Sequence, residues 1–227
     1  MDILYEDGAL LVCEKPPEIL SEPDGGGRDV ITLLKEQTGA ELFPVHRLDK
    51  GTGGAMVLAK TQECAAALSG QIQRRELEKE YLAITGGLIQ PEEGELADLL
   101  WHDAKRNKSF VVQRKRKGVR EALLSYRLLA QTQTDDGPVS LMLVRLRTGR
   151  THQIRVQFAS RGLPLLGDAR YGGRRGGRIA LWSFRLTFDH PFTGEKVRTV
   201  SLPPAEEPWT LFADELERLR AKKGNEK

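Results

Sequence analysis

Cysteine is almost missing from this chain. Its 227 residues hold two, Cys13 and Cys64, too far apart in sequence for a disulfide framework or a cysteine-bound metal. Four histidines, His46, His102, His152 and His190, are scattered without ligand spacing, so no metal is expected. A P-loop and a dinucleotide fingerprint are also lacking, which argues against any nucleotide cofactor. No apolar run approaches the roughly 20 residues that span a bilayer. The acidic start Met1-Asp2-Ile3-Leu4-Tyr5-Glu6-Asp7 has neither the basic end nor the apolar stretch of a secretion signal. A cytoplasmic protein without a membrane partner is expected. Cys13 lies in the apolar run Leu10-Leu11-Val12-Cys13, which suits a buried structural thiol.

At 25.4 kDa and 39% hydrophobic residues, the chain can bury a substantial core as one large domain or two small ones. The net charge of +3 is mild, so its distribution carries more information. Acids gather at 76–80, 92–98 and in the C-terminal helix. Bases cluster at Lys105, Arg106, Lys108, Arg114, Lys115, Arg116, Lys117 and Arg120, then at Arg170, Arg174, Arg175 and Arg178. Such clusters fit a positive face for a polyanion, or simply solvated loops. Gly172-Gly173-Arg174-Arg175-Gly176-Gly177 reads as a phosphate cradle or a flexible basic loop.

Periodicity sketches the fold. A first strand covers 9–15 and stops at Pro16-Pro17. Asp29 can cap a helix over 30–37 that Gly39 ends. A strand over 54–60 precedes a helix over 62–75 with a stripe at Ala65, Leu68 and Ile72. Further strands are expected near 79–86, 109–113, 121–130, 139–147, 179–188 and 196–202. Helices are expected over 151–160 and 208–222, with 223–227 frayed. Many strands, short turns and few helices indicate an α+β fold with a largely antiparallel sheet.

Residues 46–54 read His46-Arg47-Leu48-Asp49-Lys50-Gly51-Thr52-Gly53-Gly54, just before the strand 55–60. Cations beside Asp49 favour its charged form, and an ionised carboxylate in a cleft can attack carbon. It can equally just cap or salt-bridge a loop. A second segment, Arg147-Thr148-Gly149-Arg150-Thr151-His152-Gln153-Ile154-Arg155-Val156-Gln157, adds weight to the chemical reading. With Lys79-Glu80-Tyr81, Leu166-Gly167-Asp168, Tyr171-Gly172 and Phe188-Asp189-His190-Pro191, these segments resemble the RluA family of pseudouridine synthases, in order, over most of the chain.

The resemblance implies one catalytic domain over 1–227, a bisected, mixed, largely antiparallel central sheet with flanking helices and a catalytic cleft, and isomerisation of uridine in rRNA or tRNA. With the first strand starting so near Met1, the small N-terminal RNA-binding domain of many relatives is not expected here. No cofactor, metal or obligate protein partner is implied. Asp49 corresponds to the catalytic carboxylate, attacking ribose C1′ or base C6. Tyr81 corresponds to the active-site tyrosine, and Arg155 to the basic group expected to pair with Asp49. His46, Arg47, Thr52, Arg150, Thr151, His152, Gln153 and Leu181 correspond to substrate-binding positions, Arg47 filling the gap left by a flipped nucleotide. Lys105, Arg106, Arg114, Lys115, Arg116, Lys117, Arg174 and Arg175 are expected to hold RNA. Gly53 departs from the family's usual serine, and Trp182-Ser183 from its usual His-Ala. Two other classes compete. One is a catalytically weak RNA-binding protein. The other is a metal-free hydrolase pairing Asp49 with an acid such as Asp168.

Overall fold

The computed structural model describes residues 1–25, 28–173 and 177–224. In chain order its elements are β1 (Ile3–Glu6), β2 (Leu10–Lys15), α1 (Val30–Thr38), β3 (Phe43–Pro44), β4 (Gly53–Ala59), α2 (Gln62–Arg74), β5 (Glu78–Gly86) and β6 (Glu93–Asp103). There follow β7 (Lys108–Val112), β8 (Val119–Thr134), β9 (Gly137–Leu146), α3 (Gln153–Ala159), β10 (Leu181–Asp189), β11 (Lys196–Val200) and α4 (Ala213–Gly224). The fold is α+β and its strand pairing mostly antiparallel, as the pattern of strands and turns led one to expect. Two compact units form: residues 1–80 with 182–203, and residues 81–181 with 204–227.

In the first unit, β2 pairs antiparallel with β1 and β4, β3 with β4, and β11 with β10, while β10 runs parallel to β4 at Trp182–Gly53 and Ser183–Gly54. Every residue of β4 is buried. Its alternation therefore divides two apolar faces rather than core from water, one of them packed on Cys64 and Leu68 of α2. Asp29 caps α1 by accepting from the Thr32 N–H at 2.8 Å, and Gly39 closes it in the left-handed region. On α2 the fully buried stripe is Cys64, Leu68 and Gln71. Gln71 clasps Asp189 in both directions, donating to its carbonyl at 2.7 Å and accepting from its N–H at 3.2 Å.

The second unit is built on the antiparallel order β9-β8-β6-β7. α3 lies against one face of β6 and β7, where Leu100, Ala122 and Val156 form a small core with Val111 and Tyr171. The sequence pattern hides β6. Glu93, Glu95 and Ala97 face water, and only Leu96 and Leu100 are buried, so its acids read as a solvated run. The segment expected as a single helix over 208–222 begins as a 3₁₀ turn, Trp209–Phe212, and continues as α4 to Gly224.

Candidate active site

Asp49 stands at the first position of a tight turn whose Thr52 N–H donates to the Asp49 carbonyl at 2.9 Å. Its side chain is half-buried. Two residues with no obvious signal in the sequence fix this turn. Ser21 Oγ donates to the Leu48 carbonyl at 2.8 Å and accepts from the Leu48 N–H at 3.0 Å. Lys15 is fully buried, and its Nζ donates to the carbonyls of Lys50 at 3.1 Å and Pro16 at 3.0 Å. Burial lowers the Lys15 pKa to about 8, the carboxylates of Glu18 and Asp49 opposing that shift. A buried cation thus shares an electrostatic neighbourhood with Asp49.

The rest of the motif divides between support and surface. His46 Nε2 accepts from the Val57 N–H at 3.1 Å, so in the neutral ring Nδ1 carries the proton. Burial, followed by the charge of Lys79, lowers its pKa to about 3. His46 is thereby a neutral brace on β4. Thr52 is buried as well. Arg47 is exposed, with Glu22 4.0 Å away. Gly54, at φ 108°, approaches the Ser183 backbone so closely that no Cβ would fit.

In the second unit, Tyr81 is buried on β5 and Leu181 is buried at the start of β10. Arg155 and Asp168 form a two-pronged ion pair, Nε to Oδ2 at 2.7 Å and Nη2 to Oδ1 at 2.8 Å, with both side chains buried. Sequence reasoning named Asp49 as the partner of Arg155 and did not see this pair. It also makes Asp168 unsuitable as a hydrolase's second acid, because both its oxygens already accept from a guanidinium. The Arg155 guanidinium lies 5.2 Å from the Tyr171 ring centroid. Tyr171 Oη accepts from the Ser109 N–H at 2.7 Å and lies 3.0 Å from His152 Nδ1. His152 itself adopts the left-handed region, at φ 57°, where the chain turns into α3.

Gln153 holds the preceding loop: its Oε1 accepts from Thr148 Oγ1 at 2.8 Å and the Arg150 N–H at 3.0 Å, while its Nε2 donates to the Leu123 carbonyl at 3.2 Å. The Thr151 carbonyl accepts from Ser109 Oγ at 2.6 Å. Arg150 is exposed and donates through Nε to the Glu121 carbonyl at 2.9 Å. It thereby joins Lys115, Arg116 and Arg120 around a cleft of about 540 Å³. Arg114 and Lys117 are exposed in the same loop, and Lys105 and Arg106 sit at the β6–β7 turn. Arg170 donates to the Arg106 and Asn107 carbonyls, each at 2.8 Å, which draws the two basic clusters together. Arg174 and Arg175 lie outside the described residues. Among the described residues, no three His, Cys, Asp or Glu side chains converge on one point, and no helix is long and apolar enough to cross a membrane.

The fold is α+β, and exposed bases gather around one cleft. Residues 9–160 match the family model of the RNA pseudouridylate synthases. The ribosomal large subunit pseudouridine synthase D of Pseudomonas aeruginosa is 35% identical, over 93% of this chain and 71% of its own length. An uncharacterised RNA pseudouridine synthase of Aquifex aeolicus is 36% identical, over 86% and 67%. The solved structure of human RNA pseudouridylate synthase domain containing 1 superposes with a TM-score of 0.76 at 25% identity, covering 93% of this chain and 86% of that one. The chain belongs to the RNA pseudouridylate synthase family and is an isomerase that converts uridine in RNA to pseudouridine.

Proposed function

We propose that the chain isomerises specific uridines of structured ribosomal RNA in the cytoplasm, with the target base flipped out of its stack and Asp49 as the nucleophile. The observation that carries this reading is the Asp49 turn. Ser21 and Lys15 tie its backbone down on both sides, which suits a carboxylate that must meet one carbon in one geometry. Large-subunit synthases among the relatives favour rRNA over tRNA. Asp49 either attacks ribose C1′ and displaces the uracil at N1, or adds to base C6 before the N1–C1′ bond breaks; the base then turns, C5 bonds to C1′, and the carboxylate is released. Tyr81 packs on the uracil and helps remove its proton as aromaticity returns. By its place in the family pattern Arg155 is the basic group of this chemistry, and Asp168 fixes its guanidinium. Arg47, exposed beside the nucleophile, fills the gap left by the extruded nucleotide.

Asp49→Asn tests the nucleophile, since it is near-isosteric and removes the reacting charge. Pseudouridine formation on ribosomal RNA should fall below detection while the variant stays folded and binds RNA. Substantial residual activity would refute the assignment. Pseudouridine mapping of total RNA with and without the gene identifies the uridine, and a site found only in tRNA would overturn the rRNA reading.

A further inference from the structure

The geometry points to a second RNA subsite, a nucleobase-stacking platform on the β6–β7 hairpin, which takes unpaired nucleotides flanking the target. The inference deepens the synthase reading and rests on it for its ligand. Trp101 and Phe110 are directly opposed across the antiparallel pair, with ring centroids 6.0 Å apart and planes 28° apart. Alternation puts them on the face opposite Leu100 and Val111, which pack in the small core with Val156 of α3. Both rings are half-exposed.

Cations frame them. The Arg116 guanidinium lies 5.4 Å from the Trp101 ring centroid, and Lys108 Nζ lies 5.7 Å from that of Phe110. Arg116 and Val119, both neighbours of Trp101, also line the 540 Å³ cleft, where Leu99 adds apolar surface and Lys115, Arg120 and Arg150 add charge. Its one acid, Glu121, is paired with Lys115 at 2.6 Å. Planar apolar surface beside concentrated positive charge matches the two recurring features of single-stranded RNA, flat bases and phosphates. A planar guanidinium already over the indole extends the stack rather than blocking it. A cross-strand aromatic pair that only stabilises the hairpin would not need this cationic frame.

The test uses the full chain and the variants Trp101→Leu and Phe110→Leu, which keep apolar bulk and remove the π faces. Binding of a fluorescent single-stranded 12-mer RNA and of its duplex is followed by anisotropy at several salt concentrations. Single-strand affinity should fall roughly 5- to 100-fold per ring. Duplex affinity should hold, and the log–log salt slope should not change, because every phosphate-neutralising cation is still present. Trp101→Phe and Phe110→Tyr should recover most of the loss. Unchanged single-strand binding, an equal loss on duplex, or failure of the ring-retaining variants to recover would overturn the platform, as would preferential binding of an acidic peptide. Pseudouridine formation by the wild-type chain is assayed in parallel. Ring-dependent binding without any pseudouridine would fail the synthase reading and leave the platform standing.

Discussion

Trp182 occupies the space that a side chain on Gly53 would fill. The two residues are register partners where β10 runs parallel to β4, and a Cβ on Gly53 would lie within 2.8 Å of Trp182 Cε3. The indole is anchored by donation from Nε1 to Ser201 Oγ at 2.9 Å, and Ser201 Oγ donates in turn to Glu14 at 2.7 Å. The two departures from the RluA pattern are therefore one packing event: a glycine beside the Asp49 loop accommodates a tryptophan on the neighbouring strand.

That coupling predicts a non-additive mutant cycle. Gly53→Ser alone should cost about 1–3 kcal/mol through overpacking, and Trp182→His alone about 2–4 kcal/mol through a cavity. The double variant should lose clearly less than the sum of the two. Urea unfolding of all four proteins measures the coupling, and strict additivity would show that the pair is independent.

Asp168→Asn should destabilise the protein by about 3–5 kcal/mol, because it leaves the buried Arg155 guanidinium without its counter-charge. Turnover should fall along with stability, since Arg155 is proposed as a catalytic group. Urea midpoints and single-turnover rates report the two effects separately. A loss below about 1 kcal/mol would show that the pair is readily replaced by water.

Two buried bases contribute to the pH profile of stability, and the signs follow from their lowered folded-state values. His46 falls from 6.5 to about 3, so the unfolded chain binds more protons between those values and stability is lost as pH drops through that window. Lys15 falls from 10.5 to about 8, so its contribution rises as pH climbs between about 8 and 10.5. Each contributes a slope of up to about 1.4 kcal/mol per pH unit inside its own window. His46→Gln should flatten the acid limb and Lys15→Met the alkaline one. Denaturation midpoints across pH read both, and unaltered limbs would refute the titration of these groups.

Replacing Arg114, Lys115, Arg116 and Lys117 with alanine should weaken RNA binding and flatten its salt dependence, by roughly 0.7–0.9 in log–log slope for each phosphate no longer neutralised. Binding constants at several salt concentrations check this. An unchanged slope would make the loop a solvated charge run and leave docking to Arg150, Arg170 and their neighbours.

By itself, the sequence determined the family, the α+β class, the Asp49 loop and most element positions. Those depend on local order: caps such as Asp29 and Gly39, alternation in β5 and β9, and contiguous motifs. β6 escaped because an exposed strand face tolerates acids, so its pattern matches that of a loop. Only the tertiary structure decided which side chains meet around these elements. Lys15 under the Asp49 turn and Trp182 over Gly53 are meetings of residues distant in the chain, while Asp168 on Arg155 and Trp101 beside Phe110 depend on how one loop and one hairpin close. Local propensity does not encode such meetings. They arise when burial brings strands into register, and each polar group taken out of water must then find the partner that register supplies.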